Sequence, residues 1–369
     1  MSASPARSGQ DRRFMAAAIR LSRRHLGLTA TNPSVATLIV ADGEEIVGRG
    51  VTAIGGRPHA ETQALAEAGA RAAGATAYVT LEPCAHHGRT PPCAEALVAA
   101  GVRRVVGAAS DPDARVSGKG YAILREAGIE VVEGVMAAEA ADLMAGYLSR
   151  SVKKRPEVIL KLAVSADGMI GRLGQGQVPV TGPVARAQTH MMRAEADAIL
   201  VGIGTALADD PELTCRLPGL EGRSPARIVL DSQARLPLGS RLVASAVSVP
   251  VLVATCPEAD PAQKAALEAA GVRLLAAESF EGRIALPELM EDLAGQGMMS
   301  VLVEGGAETA RNFLADGLVD RIALFTGPGT IGEGGVEAPF HRDALPDGFR
   351  VLRAARFGDD DYLELVRQG

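Results

Sequence analysis

Apolar residues recur at helical spacing over residues 11–27, with Phe14, Ala18, Leu21 and His25 on one stripe ahead of a glycine stop, and predict an opening helix. A turn at Asn32-Pro33 follows. Residues 35–40 and 45–51 then read as two strands joined by Asp42-Gly43, a strong hairpin signal. Beyond them the pattern predicts a helix over 59–73, a strand over 76–81, a helix after Pro92, a strand over 103–108, a further helix and strand up to residue 132, and a helix over 136–151. Helices alternating with strands imply an α/β fold. The basic stretch 153–155, ending at Pro156, reads as a linker. After it the pattern restarts, with apolar strands at 158–164, 198–201, 228–230, 249–254, 301–303 and 322–325 separated by helical windows. No internal repeat links the halves, so two different α/β domains are expected, 1–150 and 151–369.

The bulk properties narrow the function classes. A chain of 369 residues exceeds one ordinary core, and 47% hydrophobic with 22% charged residues suits a soluble globular protein. The formal charge of −6 and the absence of a basic run disfavour a nucleic-acid partner. The N-terminal residues lack an apolar targeting core and no stretch has the length of a membrane span, so a cytoplasmic protein without membrane partners is expected. Four cysteines in so long a chain make no disulfide framework.

Metal ligation is the better use of two of them. His59-Ala60-Glu61 at a helix start, Pro83-Cys84 after a strand, and then Cys93 offer one imidazole and two thiolates, leaving a fourth position for water, the arrangement of a catalytic zinc. Cys84 is expected to open a helical turn whose N–H groups favour a thiolate. Glu61, two residues past the ligand His59, is placed to take a proton from the water and pass it to a ring nitrogen and then to departing ammonia. This follows the HxE…PCxxC pattern of nucleobase deaminases, except that eight residues rather than two separate the cysteines. A helix cap, a solvated glutamate and a structural zinc site are the blander alternatives.

The string TLEPCAHHGRTPPC, residues 80–93, with PHAE before it and a second α/β half behind it, resembles the bifunctional riboflavin-biosynthesis deaminase/reductase family over nearly the whole chain. The resemblance implies an N-terminal cytidine-deaminase-like α/β/α sandwich and a C-terminal dihydrofolate-reductase-like α/β domain. It implies a small-molecule substrate, a pyrimidinone ribosylamino 5′-phosphate. Zinc-dependent hydrolysis would remove its ring amine, and NADPH-dependent reduction would convert ribosyl to ribityl. By resemblance zinc sits on His59, Cys84 and Cys93, with Glu61 as proton donor, and Asn32, His86 and Arg89 contact the substrate. The chain departs from the family at Thr52, where a histidine is usual, and at Ala36, where the NPxVG string has glycine.

In the second half the KLA-S-DG string starting at Lys161 and the segments 193–205 and 209–216 carry the likeness. By resemblance Arg193, Leu213, Arg216 and Glu304 bind substrate, the two arginines as a clamp on phosphate or sugar. Ala163, Thr205, Asp209, Ser232, Gly305 and Gly306 would contact the cofactor, with Asp209 also catalytic beside it. Paired glycines after a strand let backbone N–H groups approach a phosphate at a helix start, although no GxGxxG fingerprint is present. Pro179-Val180-Thr181 stands where the family has a tryptophan-containing WIT string, and the chain has no tryptophan. The family commonly forms homo-oligomers. Two alternatives stay open: a deaminase joined to an impaired reductase, and a deaminase acting on a flipped nucleic-acid base.

Overall fold

In the computed structural model, which describes residues 5–87, 91–113, 115–280 and 282–368, the chain divides into two units, Met1–Lys153 and Lys154–Gly369. The first opens with α1 (Pro5–Ser22), which tightens into a 3-10 turn at Arg23–His25, and the expected hairpin follows as β1 (Ala36–Ala41) and β2 (Glu45–Val51). Then come α2 (Ala60–Ala68), β3 (Thr76–Leu81), α3 (Cys93–Ala99), β4 (Arg104–Ala109), α4 (Lys119–Glu126), β5 (Glu130–Val132), α5 (Ala137–Leu143) and α6 (Ala145–Val152). Two expected helices are broken. The one over 59–73 ends at Gly69, whose φ of 54° leaves the helical region. The one over 136–151 is interrupted at Met144, which turns its side chain into the core from a non-helical backbone (φ −103°, ψ 19°).

The five strands run in the order β2-β1-β3-β4-β5, with β1 antiparallel to β2 and β3 and the remainder parallel. Every position of β1, β3 and β4 is buried, so both faces of the sheet are covered. α1 packs with α5 on one side, and α2, α3 and α4 form a contiguous layer on the other.

The second unit begins with β6 (Glu157–Val164), β7 (Met169–Arg172), α7 (Pro183–Glu195), β8 (Ala198–Gly202), α8 (Ile203–Asp209), β9 (Ala226–Leu230), α9 (Arg241–Ala244) and β10 (Val251–Thr255). It continues with α10 (Pro261–Ala269), β11 (Arg273–Ala276), β12 (Ser279–Phe280), β13 (Arg283–Ile284), α11 (Leu286–Gly295), β14 (Ser300–Glu304), α12 (Ala307–Ala315), β15 (Arg321–Thr326), β16 (Gly335–Glu337), β17 (Phe349–Phe357) and β18 (Asp360–Arg367). The main sheet has nine strands in the order β11-β10-β9-β8-β14-β6-β15-β18-β17, parallel from β11 to β15 and closed by an antiparallel hairpin. That hairpin, β17-β18, escapes the sequence reading because β17 is exposed at most positions and carries Arg350, Arg353 and Arg356, which hide the alternation.

Period-two alternation divides the apolar side chains between the faces. Ala198 and Leu200 of β8 enter the cluster with Val158, Leu160 and Phe313, while Ile199 and Val201 enter another with Val229 and Leu236. From β6 the chain passes to β8 and outward to β11, then returns to insert β14 between β8 and β6. This reversal opens a crevice at the carboxyl ends of β8 and β14, where α/β sheets bind ligands.

Candidate functional site

In the first unit the end of β2 and the start of α2 deliver His59. Its Nδ1 lies 3.4 Å from the Cys93 sulfur and 3.7 Å from that of Cys84, and the three ligand atoms lie within 4.8 Å of one another. Zinc–sulfur bonds of about 2.3 Å and zinc–nitrogen bonds of about 2.0 Å imply tetrahedron edges of roughly 3.5 Å, so the donor set fits that ion. The other ring nitrogen, Nε2, is buried with no hydrogen-bond partner among the described residues, and although His59 occupies the N-cap position of α2, its side chain makes no capping bond there.

One expectation is corrected here. Cys84 begins no helical turn; the N–H aimed at its sulfur is that of Cys93, 3.2 Å away at the first residue of α3. The thiolate is served by a helix start, but the one its partner ligand supplies. Cys84 is drawn down to about 4, first by the hydrogen bond from the Cys93 thiol and further by His59, against the effect of burial. Cys93, the donor in that bond and itself buried, is pushed up.

Glu61 lies in the first turn of α2, buried, beside Cys84 and Cys93. Burial first, and the Cys84 charge second, raise its carboxyl to about 7. What brings α2 this close is Gly50 on β2: a Cβ there would stand 2.1 Å from the Ala60 carbonyl oxygen. His86 is half-buried and its Nδ1 has no hydrogen-bond partner among the described residues. Asn32 is half-buried in a turn closed by its own N–H on the Thr29 carbonyl, 3.1 Å away. Arg89 lies outside the described residues. Thr52 turns inward, its hydroxyl accepting the Val35 N–H at 3.0 Å, so it ties the β2 end to the strand beside it.

The sequence reading passed over Glu82, although it stands inside the LEPC string. Its buried carboxylate accepts the N–H groups of Gly118 and Gly120, each at 3.1 Å, sewing the residues before Cys84 to the start of α4. Asp111 likewise went unnoticed; it accepts the Tyr147 hydroxyl at 2.9 Å and the Asp113 N–H at 2.9 Å.

In the second unit a cleft of about 1560 Å³ follows the crevice. The substrate candidates Arg193, Leu213, Arg216 and Glu304 line it, and so do the cofactor candidates Ala163, Thr205, Asp209, Ser232, Gly305 and Gly306. Pro179, Val180 and Thr181 line it as well, with no aromatic ring among them. Gly305 and Gly306 have φ of 77° and 67° and lead into α12, with Thr205 at the start of α8 packed against them. Two helix starts thus meet where an anionic cofactor group would be favoured.

Arg193 differs from the expected free clamp. Its guanidinium is buried and bidentate on Glu304, at 2.7 and 3.0 Å, and donates to the Thr214 carbonyl at 3.0 Å. It fixes Glu304 rather than presenting an open fork to solvent. Lys161, quoted in the KLA string but not taken as a site residue, lies 3.6 Å from Glu304. Burial alone would raise Glu304, but Arg193 and Lys161 outweigh it and hold the carboxyl at about 2. Burial in turn pushes Lys161 down. A charged residue inside an otherwise apolar strand was the signal available for Lys161. His190, also missed, accepts the Arg216 N–H on Nδ1 at 3.3 Å; burial, then Arg193 and Arg216, lower it.

Arg216 is exposed and pairs with Glu212 at 3.0 Å. Asp209 is the last residue of α8, its carboxyl raised by burial, while the neighbouring Asp210 makes the cap-like bond to Arg241.

Residues 156–360 match the family described as the RibD C-terminal domain, and residues 8–109 match the cytidine and deoxycytidylate deaminase zinc-binding region. The riboflavin biosynthesis protein RibD of Aquifex aeolicus is 40% identical over 324 residues, covering 88% of each chain, and that of Escherichia coli is 40% identical over 334 residues, covering 88% of this chain and 89% of the relative. Among solved structures, Acinetobacter baumannii RibD superposes with a TM-score of 0.85 at 37% identity, covering 98% of this chain and 100% of that one. A diaminohydroxyphosphoribosylaminopyrimidine deaminase/5-amino-6-(5-phosphoribosylamino)uracil reductase from Thermotoga maritima superposes with a TM-score of 0.84 at 32% identity, covering 98% and 99%.

Proposed function

Since the chain belongs to the RibD family of bifunctional riboflavin-biosynthesis enzymes, we propose that its two sites act in turn on one pyrimidine ribosyl phosphate, with roles for individual residues as follows. The family's deaminase half is zinc-dependent and its reductase half uses NADPH. The deaminase is assigned to residues 1–150 and the reductase to 151–369, a reading supported by the division of the chain at Lys153/Lys154. The substrate of the first step is 2,5-diamino-6-ribosylamino-4(3H)-pyrimidinone 5′-phosphate. Ammonia leaves it by hydrolysis, and the ribosyl group is then reduced to ribityl.

The observation that carries the reading is the triad of His59, Cys84 and Cys93 beside a buried Glu61. When bound there, zinc makes its water acidic enough to ionise near neutral pH, at a pKa of about 7. Glu61, buried beside that triad, would accept the proton the water loses and deliver it to the ring nitrogen, then carry the proton of the newly added hydroxyl to the amine, so that the carbonyl forms as ammonia leaves. Asn32, His86 and Arg89 orient the ring and phosphate.

In the second half NADPH, when bound, would supply hydride to C1′ of the ring-opened sugar. Gly305, Gly306 and Thr205 would hold its phosphates at the helix starts, with Ala163, Asp209 and Ser232 as further cofactor contacts. Asp209 also orients the sugar for proton transfer. Glu304, fixed as an anion by Arg193 and Lys161, accepts hydrogen bonds from the substrate, and Leu213 and Arg216 line the same cleft as further substrate contacts.

Among the described residues no helix is long and apolar enough to cross a membrane. A cytoplasmic location and a homo-oligomeric state are part of the proposal; sedimentation of the purified chain tests the second. The activity test is incubation of zinc-loaded protein with the diamino substrate, with and without NADPH, following ammonia and NADPH absorbance together. Ammonia release followed by NADPH oxidation supports both assignments. Ammonia alone removes the reductase assignment and points to Pro179, and neither signal removes the substrate assignment.

A further inference from the structure

Arg227 is the second residue of β9, opposite Ile199 on β8 and Val251 on β10, and is 0% exposed. A guanidinium so placed is costly unless a counter-ion and hydrogen bonds compensate, and well-packed apolar side chains often serve stability as well or better. No carboxylate among the described residues forms an ion pair with Arg227. Its terminal nitrogens donate to the Glu212 carbonyl at 3.1 Å, the Ser245 hydroxyl at 2.7 Å, the Ser245 carbonyl at 3.1 Å and the Val249 carbonyl. Its Nε is buried with no hydrogen-bond partner among the described residues.

These acceptors belong to two segments. Ser245 and Val249 follow α9, whereas Glu212 immediately precedes Leu213 in the stretch that forms one wall of the cleft. The same wall is tied to α9 a second time by Asp210, whose carboxylate accepts the Arg241 N–H at 2.8 Å. Beyond Leu213, Arg193 holds the Thr214 carbonyl at 3.0 Å. Between these ties Leu213 is buried with φ of 54°, a conformation a leucine keeps only when its neighbours impose it.

We propose that Arg227 is a positioning residue of the reductase: by clamping the Glu212 carbonyl to the turn after α9, it sets Leu213 and Arg216 in the wall that meets the sugar phosphate. The inference rests on the reading of this cleft as the reductase site. It needs no contact between Arg227 and either ligand, and it accounts for a buried cation bonded only to neutral oxygens.

The test uses the full-length, zinc-loaded enzyme and its Arg227→Met and Arg227→Lys variants. It measures reductase KM and kcat on the deaminated intermediate, and NADPH affinity by quenching of nicotinamide fluorescence. In Arg227→Met the KM should rise about tenfold or more, with kcat per folded molecule within about threefold and NADPH Kd within about twofold; Arg227→Lys should recover part of the KM. An unchanged KM, with activity falling only as the folded fraction falls, would overturn the assignment and leave Arg227 a structural residue. Where Arg227→Met does not fold, Ser245→Ala decides: a KM about threefold higher supports the clamp, and an unchanged KM overturns it. A wild-type chain that never oxidises NADPH on this intermediate overturns the reading of the cleft, and this assignment with it, whatever the variants do.

Discussion

In the first unit the acidic groups of the deaminase site, Cys84, Cys93 and the buried Glu61, crowd around one imidazole. In the second, Glu304 is already enclosed by Arg193 and Lys161, and that anion needs nothing from outside to remain charged. The first is a site that an added cation completes, the second a preformed electrostatic frame. It follows that the two halves should respond to different perturbations, and each expected response below is a way to separate them or to bring them together.

The largest effect is expected from Glu61→Gln, which keeps the shape of the side chain and removes the proton carrier. Ammonia release should fall by about a hundred- to ten-thousand-fold, while NADPH oxidation on the deaminated intermediate stays unchanged. Equal loss of both activities would erase the contrast. Next comes Glu304→Ala, which leaves Arg193 and Lys161 buried and unpaired. It should cost the second unit about 3–5 kcal/mol, read by chemical denaturation, and abolish reduction without touching ammonia release.

Acid should reach the same point reversibly. The Glu304 pKa is depressed on folding, from 4.5 to about 2, so its contribution is complete above 4.5 and is lost as pH falls toward 2. A loss on the order of 3 kcal/mol is expected from the second unit over that window, and the Glu304→Ala protein should lack that part of the pH dependence. Thermal melts of both proteins between pH 5 and 2.5, monitored by circular dichroism, would show whether the two curves converge. The smallest effect is that of Gly50→Ala, whose Cβ meets the Ala60 carbonyl oxygen at 2.1 Å. Pushing back the start of α2 should cost about 1–3 kcal/mol and lower zinc affinity, with the NADPH-dependent step unaffected.

The two sites also differed in how much of them the sequence disclosed. His59, Glu61, Cys84 and Cys93 are legible because their chemistry is bound to short strings on adjoining elements, and the structure brings the three ligands together. The helical turn expected at Cys84 was wrong: the favourable N–H comes from Cys93, nine residues further along the chain. In the second half, residues from 163 to 306 do meet in one cleft, but resemblance rather than periodicity identified them. The pairing of Arg193 on α7 with Glu304 on β14 joins elements distant in sequence, so the arginine read only as a clamp on phosphate or sugar. Lys161 offered a signal, a charge inside an apolar run, that was not taken up, whereas Arg227 was hidden by an ordinary strand position. Six strands of the parallel sheet stood out as apolar runs, whereas the short edge strand β11 and the exposed, arginine-bearing β17 gave no such run.

The contrast between a cation-dependent site and a self-sufficient one is tested most directly by removing the metal from the full-length protein with a chelator and assaying both steps. The predicted result is loss of ammonia release, restored in proportion to added zinc, with undiminished NADPH oxidation on the deaminated intermediate throughout. Persistent ammonia release from metal-free protein, or loss of both activities together, would contradict it.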